Sequence, residues 1–208
     1  MPVEFFISAL VTLIVVVDPI GLVPSYVAIT HGLPERATRR NVALRATLIA
    51  AAILIGSALI GDWLLRVLSI GLPAFRIAGG LLLFSIASEM VFGVRIERQS
   101  QQAEQAVEEH VRNIAAFPLA IPLMAGPGAI TATILLASRE GDSTRLMILL
   151  AVIAIVLALC FVVFALAARI AKWLGVTANV VASRLLGVLL AALAVQYVID
   201  GVRTAISG

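Results

Sequence analysis

The sequence predicts an all-α, polytopic membrane protein whose six transmembrane helices form a 3+3 inverted repeat. Hydrophobic residues make up 62% of the 208 residues and charged residues only 13%, whereas a soluble domain is about half apolar and a quarter charged. This composition, with a mean hydropathy of +1.10, excludes a water-soluble globule. The apolar runs are continuous and lack the alternation of barrel strands, so helices are favoured over a β-barrel.

Six apolar stretches are long enough to cross a hydrocarbon core of about 30 Å. In chain order they cover 5–30, 42–62, 72–92, 114–138, 146–168 and 179–200. The first stretch is not expected to be a cleaved signal peptide, because Glu4 precedes it in place of a basic residue and it runs directly into Asp18-Pro19. It is therefore expected to remain as the first membrane span.

One markedly polar segment, 93–113, interrupts the apolar pattern. It divides a single transmembrane domain, 1–208, into a first three-helix repeat over 1–92 and a second over 114–208. We expect this segment to be a solvated cytoplasmic loop, with at most a short amphipathic helix, and assign it no chemistry.

Basic residues predict the orientation of the helices. Nine Lys and Arg residues fall on one side of the predicted spans: Arg36, Arg39, Arg40, Arg45, Arg95, Arg98, Arg112, Arg169 and Lys172. Four fall on the other side: Arg66, Arg139, Arg145 and Arg203. The positive-inside rule puts the richer side in the cytoplasm, so both termini are expected outside a bacterial inner membrane. Because these residues orient helices, the net charge of +3 does not indicate nucleic-acid binding.

The two halves of the chain resemble each other at an offset of 108 residues. Pro19 then coincides with Pro127, Arg76 with Arg184, and Gly79 with Gly187. Proline and arginine are uncommon in membrane helices, so these coincidences indicate an internal repeat. Each half has three spans, an odd number, so the second half enters the membrane from the opposite face.

The first and fourth spans each contain helix-breaking residues near their middle. Asp18-Pro19 and Gly126-Pro127 each read as an N-cap followed by proline at the first helical position. The amides of about residues 20–22 and 128–130 would then lack intrahelical partners and bind an anionic oxygen such as a carboxylate. The predicted substrate-binding residues are Asp18, Pro19, Ile20, Gly21, Gly126, Pro127, Gly128 and Ala129. The alternative is a pair of kinks repaired by neighbouring helices.

Three charged residues inside the predicted spans have competing interpretations. Asp18 is either a ligand for a coupling ion or a substrate ammonium, or only the N-cap of the next half-helix. Arg76 and Arg184 lie near the starts of the third and sixth spans, at opposite faces of the membrane. They are either gate charges flanking the site or side chains that extend to the lipid headgroups.

Residues typical of enzymes and of metal or cofactor sites are sparse. Cys160 is the only cysteine, which excludes an intrachain disulfide and a cysteine-based metal cluster. The two histidines, His31 and His110, fall in predicted loops. Nucleotide-binding and hydrolase motifs are absent from the sequence. The chain is therefore predicted to be no enzyme and to use no cofactor or metal.

Two stretches resemble a known family. Val17-Asp18-Pro19-Ile20-Gly21-Leu22-Val23-Pro24 and 117–130, which reads FPLAIPLMAGPGAI, are similar to the two signature stretches of the MarC family. The resemblance extends over the whole chain. It implies a transporter of small neutral amino acids such as glycine or alanine, with proton or sodium coupling. The family name refers to multiple antibiotic resistance, but it is not evidence of drug efflux.

The residues and the resemblance together predict a secondary transporter of small neutral amino acids. Its partners would be the amino acid, a proton or sodium ion and the lipid bilayer. Import, export and assembly into a homo-oligomer are left open. The alternatives are a passive channel for a small solute and a non-transporting membrane scaffold.

Overall fold

The computed structural model describes residues 2–31, 33, 36–108, 113–138 and 143–207, and it contains no strand in these ranges. The chain therefore has the predicted all-α class. Its helices are α1 (Pro2–Val17), α2 (Val23–Thr30), α3 (Arg36–Val67), α4 (Leu72–Phe92), α5 (Val94–Glu108), α6 (Pro127–Ala137), α7 (Ser143–Ala165) and α8 (Ala167–Ser207). A kinked helical segment, Ala115–Met124, precedes α6.

Four stretches of helix are long and apolar enough to cross a membrane. They are Thr38–Val67, Leu72–Phe92, Ser143–Ala165 and Ala178–Ser207. The kinked segment and α6, bent by 57°, form a fifth candidate span. The predicted first span corresponds to α1, which has 16 residues, and α2, which has eight. The described residues thus provide four or five candidate spans, where the sequence predicted six.

The surfaces of these spans are suited to lipid. Within the four spanning windows only 28–39% of the residues are buried inside the protein. Large apolar side chains such as Leu48, Leu81 and Leu185 are more than half exposed. Soluble proteins rarely expose so much contiguous apolar surface to water. The exposed faces of these helices therefore contact the hydrocarbon core.

Helices α4 and α8 pack against each other in antiparallel directions, and glycines lie at their contacts. A β-carbon added at Gly80 would lie 2.7 Å from the carbonyl oxygen of Ala194. A β-carbon at Gly201 would lie 2.9 Å from the carbonyl oxygen of Pro73. Such spacing requires glycine, because only glycine lets two helix backbones approach this closely.

The interior of the bundle includes residues of α1, α2, α3, α6, α7 and the kinked segment. Val17 at the end of α1 and Met124 at the end of the kinked segment are both fully buried. Tyr26 of α2 stacks on Phe164 of α7, with ring centroids 4.6 Å apart. Both helix interruptions therefore lie inside the protein, where they position the candidate site.

Candidate functional site

Asp18 is the first residue of the turn that interrupts the first helix. It follows α1 directly and has a left-handed backbone conformation, with φ of 53°. Its side chain is buried, and Oδ1 accepts a hydrogen bond from the amide of Gly21 at 3.0 Å. The amide of Leu22 donates to the carbonyl oxygen of Asp18 at 3.2 Å. Side chain and backbone of Asp18 together hold the turn between α1 and α2.

This geometry differs from the sequence prediction in two respects. The N-cap of α2 is Leu22, and Pro24 lies in its first turn, so Asp18 and Pro19 are not the N-cap and the first helical residue. The amides of Gly21 and Leu22, predicted to be free, are engaged within the turn. The physical reason is that aspartate readily bonds to an amide of its own turn, which leaves these amides unavailable to a ligand.

Arg95 of α5 is a buried cation whose charge acts on Asp18. Its side chain is 6% exposed. Nη2 donates to the carbonyl oxygen of Val16 at 2.7 Å, and Nη1 contacts Sδ of Met90 at 3.1 Å. The charges of Asp18 and Arg95 attract each other, and Ser183 of α8 donates a longer hydrogen bond, 3.4 Å, to Oδ2 of Asp18. The attraction between the two charges acts at longer range than an ion pair, because the guanidinium of Arg95 contacts Val16 and Met90.

The polar segment is therefore part of the site, which the sequence prediction missed. Gly93, with φ of 83°, ends α4 and lets the chain turn into α5. The structure has a helix in this segment, as the sequence allowed, but Arg95, Gln99 and Ala103 share one buried face of it, so the helix is not wholly solvated. Residues 109–112 lie outside the described residues. The four-residue spacing of Arg95, Gln99 and Ala103 could have revealed a helix face. Burial of a charged residue on that face follows only from the tertiary fold.

The second interruption has the predicted cap. Phe117 and Ile121 have extended backbone conformations inside the kinked segment. Gly126 is the extended N-cap of α6, and Pro127 is its first residue. The cap supplies no side-chain hydrogen bond, so the amides of Gly128 and Ala129, in the first turn, lack intrahelical partners.

A cavity of about 250 Å³ lies at the start of α6. Gly126–Ala129 line it, as do Arg95, Arg98, Gln99 and Gln102 of α5. Pro122–Met124, the last residues of the kinked segment, line it as well. The cavity thus combines two guanidinium groups with the positive end of α6. This is the electrostatic environment of a carboxylate-binding site.

The two arginines of the cavity differ in their surroundings. Arg95 is buried and holds the carbonyl of Val16. Arg98 is half-exposed, and its Nη1 forms an ion pair of 2.6 Å with Glu89 of α4. Arg98 is therefore already partly neutralised, and Arg95 is the stronger electrostatic contributor inside the cavity.

The two sets of predicted substrate-binding residues do not line one cavity. Gly126, Pro127, Gly128 and Ala129 line the cavity at α6, whereas Asp18, Pro19 and Gly21 do not. Ile20 lines a separate, mainly apolar cavity of about 330 Å³. The connection between the two interruptions is Arg95, which interacts with Asp18 and also lines the cavity at α6.

The predicted gate arginines do not line this cavity. Arg76 Nη1 donates to the hydroxyl of Thr204 at 3.4 Å, near the start of α4. Arg184 is exposed, and its Nη2 lies 3.7 Å from the position of a β-carbon at Gly93, at the other end of α4. The two residues are thus at opposite ends of the α4–α8 pair. Their gating role stays a prediction.

Comparison with known proteins defines the family. The model of the MarC family of integral membrane proteins matches residues 3–206. The chain belongs to the MarC family. A UPF0056 membrane protein of Methanocaldococcus jannaschii is 33% identical over 99% of this MarC chain and 100% of its own length.

Two further relatives have similar coverage. The UPF0056 membrane protein YhcE of Escherichia coli is 34% identical over 96% of this chain and 91% of its own. A UPF0056 membrane protein of Archaeoglobus fulgidus is 35% identical over 95% of this chain and 92% of its own length. No solved structure matches the chain. This MarC protein is thus a multi-pass integral membrane protein, and the names of these relatives specify nothing further.

Proposed function

We propose that this MarC protein is a secondary transporter of small neutral amino acids, of the glycine or alanine type, across the cytoplasmic membrane. The observation that carries the proposal is the cavity at the start of α6. There the buried Arg95 and the first turn of α6, whose amides at Gly128 and Ala129 lack helical partners, line the same space. This combination binds a carboxylate, the group that every amino acid carries.

The remaining lining residues suit the rest of a zwitterion. Pro122–Met124 follow the extended residue Ile121, and main-chain carbonyl oxygens in such an interrupted segment can accept hydrogen bonds from an ammonium group. Gln99 and Gln102 add amide groups that accept hydrogen bonds. The walls near the glycines are apolar, with Val16 and Ile86, which suits a small apolar substrate side chain such as that of alanine.

Coupling to an ion gradient would proceed through Arg95 and Asp18. The charge of Arg95 attracts the buried carboxylate of Asp18. A substrate carboxylate would compete for the same guanidinium and weaken its interaction with Asp18. Asp18 would then gain a proton or a sodium ion, since an uncompensated carboxylate is costly in a buried site. Substrate and ion would therefore bind together.

Contacts between helices support an inverted repeat of six spans as the framework of transport. At an offset of 108 residues, α1 corresponds to the kinked segment, α2 to α6, α3 to α7 and α4 to α8. Helix α1 packs on α7 as the kinked segment packs on α3, and α2 packs on α8 as α6 packs on α4. Such paired contacts are the pattern expected of two repeats that move against each other, with both termini outside.

Counterflow in proteoliposomes tests the proposal. Vesicles loaded with unlabelled alanine are expected to accumulate labelled alanine or glycine with saturable kinetics. Unlabelled alanine outside should compete, whereas ethylamine, which lacks the carboxylate, should not. A passive channel would equilibrate label without counterflow, and a scaffold would show no uptake above empty vesicles. Either result from folded protein would overturn the proposal.

A further inference from the structure

A third cavity, of about 310 Å³, carries an unusual concentration of positive charge. It lies between α2, the beginning of α3 and the junction of α7 with α8. Arg39 and Arg40 of α3 and Arg169 of α8 line it, and no acidic residue is among its described lining residues. Three arginines converging on one space indicate a ligand with negative charge.

Two of these arginines are held in place by the protein. Nε and Nη2 of Arg39 both donate to the carbonyl oxygen of Leu33, at 3.3 and 3.1 Å. The guanidinium of Arg40 lies over the ring of Phe161, 5.9 Å from its centroid. A guanidinium fixed in advance loses less conformational entropy on binding an anion.

The cavity also has an apolar side, which suits the lipid part of a ligand. The stacked rings of Tyr26 and Phe164 form one wall. The adjoining residue Leu166 is 41% exposed and extends the apolar surface to the outside. The arginine-lined cavity thus adjoins an apolar surface of the protein.

We propose that this cavity binds the phosphodiester headgroup of an anionic membrane phospholipid. Arginine binds phosphate oxygens in a bidentate manner, and basic pockets between transmembrane helices on the cytoplasmic side bind such headgroups. The three arginines belong to the side that the distribution of basic residues puts in the cytoplasm. A lipid accounts for the apolar wall and for the exposed Leu166 better than free phosphate does, because its acyl chains cover both.

Native mass spectrometry of the detergent-purified full chain tests the site, with phosphatidylglycerol as probe and phosphatidylcholine for comparison. The wild type is expected to bind phosphatidylglycerol preferentially. The double variant Arg40→Gln/Arg169→Gln should lose affinity by about tenfold or more, since each basic residue near an anionic surface contributes on the order of a fivefold factor. The single variant Arg169→Gln, which alters an exposed residue, provides a second measurement if the double variant folds poorly.

Lys172→Gln is the matched control. Lys172 is exposed on α8 and carries the same charge, but it does not line the cavity. We expect less than a twofold loss of affinity. Equal binding of phosphatidylglycerol by the wild type and both cavity variants would overturn the proposal. Displacement of the lipid by millimolar inorganic phosphate, at ionic strength matched with chloride, would overturn the lipid assignment.

Discussion

The guanidinium of Arg95 donates a hydrogen bond from Nη2 to the carbonyl oxygen of Val16 over 2.7 Å. Val16 lies in the last turn of α1, where carbonyl groups lack amide partners because the helix ends. A cation at that end satisfies the carbonyl and interacts favourably with the helix dipole. Because Arg95 also lines the cavity at α6, one side chain joins the end of α1 to the candidate substrate site.

Asp18 and Arg95 are buried residues of opposite charge and should respond to substitution in a coupled manner. Arg95→Gln removes the charged hydrogen bond to Val16 and a cation that attracts the buried carboxylate, and is expected to cost about 1–3 kcal/mol of unfolding free energy. Asp18→Asn combined with Arg95→Gln should cost less than the sum of the single changes. Denaturant unfolding of the four proteins in detergent micelles measures this coupling.

Arg98→Gln is the control for that experiment. Its side chain is half-exposed, so loss of the ion pair with Glu89 should change the unfolding free energy by only about 0–1 kcal/mol. Strictly additive effects of the Asp18 and Arg95 substitutions would contradict an energetic interaction between the two residues.

The turn at Asp18 should distinguish asparagine from alanine. Asparagine can still accept the hydrogen bond from the Gly21 amide and tolerates the left-handed conformation. Alanine does neither, so Asp18→Ala is expected to be less stable than Asp18→Asn by about 1–2 kcal/mol. Thermal unfolding of the purified variants compares them directly. Equal stability would show that the carboxylate does not hold the turn.

Transport provides a second test of Asp18. If Asp18 takes up the coupling ion, Asp18→Asn should retain alanine counterflow and lose the stimulation by a pH or sodium gradient. The same proteoliposomes measure both quantities. Full stimulation in Asp18→Asn would remove Asp18 from the coupling step.

Local rules predicted one interruption more accurately than the other. At Gly126-Pro127 the cap and the helix start follow from the backbone preferences of two adjacent residues, and the structure has both. At Asp18-Pro19 the same rules found the interruption but not its geometry, because the carboxylate bonds forward to Gly21 and α2 begins only at Val23. The free energy of an aspartate that caps a helix and of one that bonds within its own turn differs by about 1 kcal/mol or less. The sequence alone does not show which of the two bonds forms.

The role of Arg95 required the tertiary structure. It lies in the most polar segment of the chain, and a helix rich in charge is ordinarily solvated. Burial results from Asp18 and Val16, which are more than 70 residues away in the chain. In contrast, Arg76 and Arg184 were predicted as gate residues because they interrupt apolar runs, but neither lines the cavity at α6.

The contact between α4 and α8 should depend on glycine. A β-carbon at Gly80 would lie 2.7 Å from the carbonyl oxygen of Ala194, a backbone atom that cannot rotate away. Gly80→Leu is therefore expected to cost about 1–3 kcal/mol through overpacking. Gly56→Leu is the control, because a β-carbon there meets no atom within 4 Å. Thermal unfolding that ranks Gly56→Leu as the more destabilising variant would contradict the packing of these helices.

Gly128 tests whether the cavity at α6 binds the substrate. A β-carbon there would clash with Cδ1 of Ile86, the end of a flexible side chain, and would otherwise contact Val16 and Leu83 at 3.4 and 3.5 Å. The fold is therefore expected to adapt to Gly128→Ala, while Gly128→Val adds methyl groups beside the amides at the helix start. Saturable alanine counterflow should fall at least about tenfold in Gly128→Val, which corresponds to about 1.4 kcal/mol of lost binding.

Gly56→Val adds the same atoms where nothing lies within 4 Å, and its counterflow should equal that of the wild type. Thermal unfolding of each variant separates loss of binding from loss of folding. Because the amides of Gly128 and Ala129 are the proposed carboxylate ligands, substrate protection against unfolding should also disappear in Gly128→Val. Undiminished counterflow and substrate protection in a folded Gly128→Val protein would move the substrate away from the start of α6.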